Sequence, residues 1–144
     1  MEKKLKVLIA DDTTEFGQNC ANVLKTYGME VSICAKDGIE LLGEIQAQHP
    51  DVVLADVFMP GLDILGVLDQ LGNMDKKNRP MVMAMSSYDN ARLEIETLSA
   101  GASYYFLKPF DMNVLAERII RLSGCKNEPM EIAAKPSASE PDLE

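Results

Sequence analysis

The chain has 144 residues, of which 47% are hydrophobic and 26% charged, a composition typical of one globular domain with a substantial core. Its 14 basic and 23 acidic residues give a formal net charge of −9. This charge argues against binding of nucleic acid or an anionic membrane by the chain alone, because both need a basic face. No apolar run is long enough for a secretion signal or a membrane span, so we expect a cytoplasmic protein.

Three cysteines are far apart in the sequence and form no CxxC motif. Such usage favours reduced thiols over disulfides or a metal site, which again fits a cytoplasmic location. The three are Cys20, Cys34 and Cys125.

Five short β-rich apolar runs divide the first part of the chain, and each is followed by a segment with apolar residues three and four apart. Glycines 28, 101 and 124 stand where these helical segments should end. Five strand–helix units predict an α/β domain with a doubly wound parallel sheet. The runs are LKVLIA (5–10), EVSIC (30–34), VVLAD (52–56), MVMAMS (81–86) and YYFL (104–107).

Composition changes at Cys125, where the chain becomes rich in Pro, Ser and Glu and loses its periodicity. We therefore assign residues 1–124 to the folded domain and expect residues 125–144 to be a flexible linker or tail. The natural chain is expected to continue beyond it.

Polar and acidic residues follow four of the five predicted strands. Each has an ordinary explanation by itself, since Asp at a strand end is often a turn former. Ligands of open parallel sheets gather beyond the carboxyl ends of the strands, so these residues should face one crevice. The set is Asp11 and Asp12 at the end of the first strand, Asp56 at the end of the third, Ser86 at the end of the fourth and Lys108 after the fifth.

The chemistry of this set follows from its charge. Three converging carboxylates repel one another unless a cation neutralises them, and oxygen ligands select a hard cation such as Mg²⁺. Asp56 could attack a phosphoryl donor as a nucleophile and become an aspartyl phosphate. Lys108 would then neutralise phosphoryl oxygens, and the Ser86 hydroxyl would donate a hydrogen bond to them.

These residues and their spacing resemble the receiver domain of two-component response regulators over about residues 4–124. The resemblance rests on ADD (10–12), DVFMP (56–60), MSS (85–87) and GASYYFLKPFD (101–111). It implies a flavodoxin- or CheY-like sheet of order 2-1-3-4-5 and a cis bond before Pro109. It also implies Mg²⁺ bound by Asp11, Asp12, Asp56 and the backbone carbonyl of Phe58.

The resemblance further implies a signalling domain rather than an enzyme, with a histidine kinase or histidine phosphotransfer protein as phosphodonor. Ser86 and Tyr105 would form the switch. The face made by the fourth helix, fifth strand and fifth helix (about residues 90–124) would form a homodimer after phosphorylation. DNA would be bound by a C-terminal effector domain, which this chain does not include. The segments MEKKLKVLIADD and GASYYFLKPFDMNVL also resemble sporulation regulators, which implies control of sporulation.

Two residues depart from the common pattern of the family, namely Ile64 and Ser87, the second of which stands where a smaller alanine is usual. MPGLDIL places Ile64 where the family commonly has Gly, with Gly61 earlier, so the turn after the third strand is expected to differ in shape. Phe58 and Tyr88 lie two residues beyond Asp56 and Ser86, where large apolar groups should impede a hydrolytic water. We expect a long-lived phosphoryl group, although exposed loop aromatics are an equally ordinary explanation.

Other protein classes fit less well. A haloacid-dehalogenase-like phosphatase needs DxD after the first strand, but Thr13 occupies the second Asp position. A flavodoxin needs a phosphate-binding loop after the first strand, and this chain has none there. A histidine phosphotransfer donor fits poorly because the single histidine, His49, lies away from the predicted crevice. The alternative that stays open is a stand-alone or non-phosphorylated pseudo-receiver that acts as a protein-interaction module.

Overall fold

The computed structural model describes residues 4–11 and 14–124. Its core is one five-stranded parallel sheet of order β2-β1-β3-β4-β5, so the predicted fold class and strand order are confirmed. Four strands match the predicted runs, and the first begins one residue later than its run. The strands are β1 (Lys6–Ala10), β2 (Glu30–Cys34), β3 (Val52–Asp56), β4 (Met81–Ser86) and β5 (Tyr104–Leu107).

Within the described residues, four α-helices and one short 3₁₀ turn (Lys76–Asn78) connect the strands, and a fifth helix follows β5. Three of the helices begin at a side chain that accepts hydrogen bonds from first-turn amides, namely Asp37, Asp63 and Asn90. Gly28 and Gly101 follow helix ends with positive φ, as their sequence positions predict. The helices are α1 (Thr14–Thr26), α2 (Gly38–Gln48), α3 (Ile64–Leu71), α4 (Ala91–Ser99) and α5 (Met112–Gly124).

Two apolar cores cover the two faces of the sheet. One packs α2 and α3 through residues such as Leu41 and Val67, and the other packs α1 and α5 through residues such as Leu24 and Ile119. Successive strand residues point to opposite faces, so a central strand must be apolar throughout. Every residue of β3 is buried. Polar chemistry is therefore confined to the strand ends.

The described cysteines are free thiols. Burial raises the pKa of Cys20 to about 12 and that of Cys34 to about 11, so both are protonated at neutral pH. Cys125 and the predicted tail lie outside the described residues. Among the described helices, none has both the length and the apolar character that a membrane crossing requires.

Two glycines shape the loop between β3 and α3, one within the loop and one at the start of α2. Gly61 has φ 80°, a left-handed conformation that favours glycine, and it turns the chain before Asp63 caps α3. The amide of Gly38 donates a 3.2 Å hydrogen bond to the Pro60 carbonyl, which fastens this loop to the start of α2. Ile64, at the position where the family commonly has Gly, begins α3 and is buried.

We predict that Gly38→Ala destabilises the domain. A Cβ at this position would overlap the backbone carbonyl of Leu62, which cannot move without displacing the loop. We expect the free energy of unfolding to fall by about 1–3 kcal/mol in urea titrations followed by circular dichroism.

Gly43→Ala on the same helix is the matched control. A Cβ there would meet nothing within 4 Å, so the helical preference of Ala should raise the free energy of unfolding by about 0.5–1 kcal/mol. Equal stability of the Gly38→Ala variant and the unsubstituted domain would contradict the close approach.

Candidate functional site

The end of β3 carries a buried ion pair. Asp56 is 6% exposed, and Lys108 Nζ donates a 3.1 Å hydrogen bond to Asp56 Oδ2. Lys108 reaches this position because its backbone amide donates to the Ser86 carbonyl at 2.7 Å, which continues β5 alongside β4. The bond between Lys108 and Pro109 is cis, as expected. The structure thus brings together the predicted acceptor and the predicted lysine.

The second oxygen of Asp56 also has a donor. Its Oδ1 accepts a 3.0 Å hydrogen bond from the backbone amide of Phe58. Because a carboxylate offers about four lone-pair sites, both oxygens can accept a further ligand while they keep these partners. The two donors fix the orientation of the carboxylate on both sides.

Asp11 lies at the same edge of the sheet. Ala10, the last residue of β1, pairs with Ala55 of β3, so Asp11 and Asp56 occupy matching positions at the ends of two neighbouring strands. Both residues are buried, each at 6% exposure. Two buried acidic residues at neighbouring strand ends can serve as ligands of a cation.

The donors fit a hard divalent cation, because carboxylate and carbonyl oxygens are the ligands that Mg²⁺ prefers. Of the predicted ligands, Asp11, Asp56 and Phe58 are described, whereas Asp12 lies outside the described residues. Within residues 4–11 and 14–124, no three or more His, Cys, Asp or Glu side chains group as a metal site. The described part supplies two of the three predicted carboxylates.

Ser86 ends β4 one residue beyond Met85, which pairs with Asp56. Its side chain is fully buried, and its Oγ accepts from the Tyr88 amide at 3.0 Å and donates to the Tyr88 carbonyl at 3.3 Å. The hydroxyl is therefore held by its own loop. It would have to rotate to donate to a group on Asp56.

Tyr105 of β5 pairs with Ala84, two positions before Ser86, and packs against the α2–α3 core. Its hydroxyl is buried without a hydrogen-bond partner among the described residues, and so is the Thr97 hydroxyl of α4. A buried hydroxyl without a partner costs about 1–3 kcal/mol. This cost opposes the buried position of the Tyr105 hydroxyl.

Phe58 and Tyr88 contact each other beside Asp56. Their ring centroids are 5.6 Å apart in an edge-to-face arrangement, while each side chain stays half or more exposed. The pair links the loop after β3 to the loop after β4. The sequence places both residues near Asp56 but does not predict this contact.

Sequence reasoning missed Phe16. Lys108 Nζ lies 4.6 Å from the centroid of the Phe16 ring, and the Phe16 ring packs edge-on against Phe110. In the sequence, Phe16 is one apolar position of an amphipathic helix. No local pattern indicates that the helix directs this ring at an ammonium group.

Comparison with known proteins agrees with this geometry. The family model described as the response regulator receiver domain matches residues 7–120. The chain therefore belongs to the response regulator receiver family, whose members are signalling domains of two-component systems.

Solved structures show the same fold along their whole length. The receiver domain of Francisella response regulator 1452 is 29% identical, with a TM-score of 0.76 over 86% of this chain and 100% of that one. The receiver of the putative response regulator NarL from Mycobacterium tuberculosis is 26% identical, with a TM-score of 0.76 over 85% and 98%. The chemotaxis response regulator CheY4 of Vibrio cholerae is 25% identical, with a TM-score of 0.74 over 83% and 99%.

Proposed function

We propose that this receiver accepts a phosphoryl group on Asp56 from the phosphohistidine of a histidine kinase or a histidine phosphotransfer protein. The observation that carries the proposal is the buried Asp56–Lys108 ion pair beside Asp11. A carboxylate oxygen of Asp56 would bond to phosphorus while the phosphorus–nitrogen bond of the donor breaks, and the electron pair of that bond would stay on the imidazole.

The side chains of the site divide the remaining work. The Lys108 ammonium would stay in contact with the phosphoryl oxygens and neutralise part of their charge. The Ser86 hydroxyl would rotate away from Tyr88 and donate a hydrogen bond to one of them. Asp11, Asp56 and the Phe58 carbonyl, with Asp12 as the predicted fourth ligand, would hold Mg²⁺. The cation, when bound, supplies positive charge that neutralises carboxylate and phosphoryl oxygens.

We propose that phosphorylation changes the packing of α4 and β5. Rotation of Ser86 toward the phosphoryl group would change the packing above β4, where Tyr105 holds its inward position without a hydrogen-bond partner for its hydroxyl. The neighbouring surface carries three exposed apolar side chains, Ile95, Leu98 and Leu107. We assign this surface, with α5, to homodimerisation or effector contact in the phosphorylated state.

We also propose that the receiver controls an attached DNA-binding domain and, through it, the initiation of sporulation. The support is the resemblance of MEKKLKVLIADD and GASYYFLKPFDMNVL to the receiver of stage 0 sporulation protein A. The net charge of −9 is consistent with DNA contacts made elsewhere in the full protein. Free thiols at Cys20 and Cys34 fit a reducing compartment such as the cytoplasm.

Asp56→Asn should abolish phosphorylation, because an amide is not a nucleophile for phosphorus. After incubation with acetyl phosphate and Mg²⁺, intact mass should show one added phosphoryl group on the unsubstituted chain and none on the variant. Asp69→Asn, an exposed position on α3, is the control and should label normally.

Two other outcomes have distinct meanings. Stoichiometric labelling of the Asp56→Asn variant would refute the acceptor assignment. An unlabelled unsubstituted chain, with or without Mg²⁺, would instead favour a pseudo-receiver that acts as an interaction module. The same substitution in the full-length gene tests the sporulation proposal, since cells that still form normal numbers of spores would contradict it.

Phe58→Ala and Tyr88→Ala should each shorten the lifetime of the phosphoryl group several-fold, because the paired rings limit the approach of water to Asp56. The measurement is loss of the added mass after acetyl phosphate is removed. Tyr27→Ala is the control, since the Tyr27 hydroxyl donates to Asn113 of α5 and its ring takes no part in the contact between Phe58 and Tyr88. A half-life of only seconds in the unsubstituted, Mg²⁺-loaded domain would contradict the proposed shielding.

Ile95→Asp should prevent dimerisation of the phosphorylated domain, because it places a charge within the proposed apolar contact. Molar mass by light scattering, with and without acetyl phosphate, reports the dimer. Ile39→Asp is the matched control, since Ile39 on α2 has the same 64% exposure but lies outside the proposed surface. If both variants label fully and dimerise alike, the assignment of this surface is wrong.

A further inference from the structure

The ammonium group of Lys108 has two neighbours of different chemistry. Asp56 Oδ2 is 3.1 Å from Nζ, and the centroid of the Phe16 ring is 4.6 Å from the same atom. The lysine side chain is only 18% exposed, so little water competes for it. An ammonium within about 6 Å of a ring centroid is attracted by the ring, most strongly where it is partly dehydrated.

The Phe16 ring is held in place from behind. Its neighbour Phe110 lies 5.8 Å away at an interplanar angle of 81°, and Phe110 lies 4.8 Å from Phe106. Phe106 is 5% exposed and belongs to the α1–α5 core. A row of three rings therefore connects the buried core to the ammonium, so the Phe16 ring forms a fixed surface for Lys108.

A fixed surface matters because lysine is a flexible point charge. Its four-carbon stem can place the ammonium in many positions, and a single ion pair at one end constrains it poorly. A phosphoryl group on Asp56 would also require Nζ to move from the carboxylate to a phosphoryl oxygen. Attraction to a ring face does not require one N–H bond of the ammonium to point at one acceptor atom. It can therefore persist while Nζ moves a short distance over the ring, whereas a hydrogen bond to Asp56 would break.

We propose that Phe16 is a positioning residue that holds the Lys108 ammonium beside the acceptor through a cation–π contact. This rests on the proposed function, in which Asp56 accepts the phosphoryl group. Phe16 touches neither the donor nor the acceptor, and its contribution is to raise the fraction of time in which the ammonium is in place.

A series of fluorinated phenylalanines at position 16 tests the electrostatic contact without changing the shape of the core. Each added fluorine withdraws electrons from the ring face and weakens its attraction for a cation. The rate constant for labelling by acetyl phosphate should fall steadily from phenylalanine through mono- and difluoro- to trifluorophenylalanine, by about three- to tenfold in total. The same series at Phe110 is the control and should leave the rate nearly constant.

A second measurement detects the contact independently of phosphorylation. A proton above a ring face is shifted upfield in nuclear magnetic resonance spectra, so the ε-methylene protons of Lys108 should show this shift. Phe16→Leu should remove the shift and slow labelling, Phe16→Tyr should restore both, and Phe110→Leu should retain the shift. Thermal melting of each variant verifies that it folds.

The outcomes separate the two proposals. If the unsubstituted chain labels at Asp56 but the rate does not depend on fluorine content, or if no upfield shift exists, the role of Phe16 is refuted and the acceptor role stands. If the unsubstituted chain does not label, the proposed function fails, whatever the spectra show.

Discussion

Asp56 and Lys108 are 52 residues apart in the chain, yet their charged atoms lie 3.1 Å from each other. Parallel pairing makes this possible, because it brings the carboxyl ends of β1, β3, β4 and β5 to one edge of the sheet. Both faces of that sheet are covered by helices, so the edge is where charge can be placed at lowest cost. The positions of Asp11, Ser86 and the Phe58 carbonyl all follow from this arrangement.

Stability alone does not account for the ion pair. Removing two charges from water costs about as much as their attraction returns, so an apolar pair of similar size would serve the fold as well. Asp11 adds a second buried carboxyl group next to the end of the neighbouring strand. Such an arrangement is understandable if a cation and a phosphoryl group complete it.

The fold could be predicted from the sequence because its three central strands, β1, β3 and β4, are almost wholly buried. A buried parallel strand is a continuous apolar run, and β3 and β4 begin and end where those runs do. The site followed from residue types at strand ends. Side-chain directions could not be predicted: helical spacing gives the apolar face of α1 but not which ring meets Lys108, and a strand end does not show that Ser86 bonds to Tyr88.

The loop after β3 and helix α4, which lie on two sides of Asp56, differ in how firmly they are held. On one side, the loop after β3 is fixed by the Phe58 amide on Asp56, by Gly61 in its left-handed turn and by Gly38 against Pro60. On the other side lies α4, whose one buried residue is Thr97, and the Thr97 hydroxyl has no hydrogen-bond partner among residues 4–11 and 14–124.

This asymmetry bears on how a small chemical change at Asp56 could move a helix. A new hydrogen bond from Ser86 to a charged phosphoryl oxygen is worth about 1.5–3 kcal/mol. Burial of the Tyr105 hydroxyl without a partner costs about 1–3 kcal/mol, a similar amount. Under the proposed function, the loop after β3 would hold the phosphoryl group in place, while α4, which has one buried residue, would move at lower cost. Under the proposed function, the hydrogen bond gained by one modification is therefore comparable in free energy to the burial cost of the Tyr105 hydroxyl, so it is large enough to bias the position of this side chain.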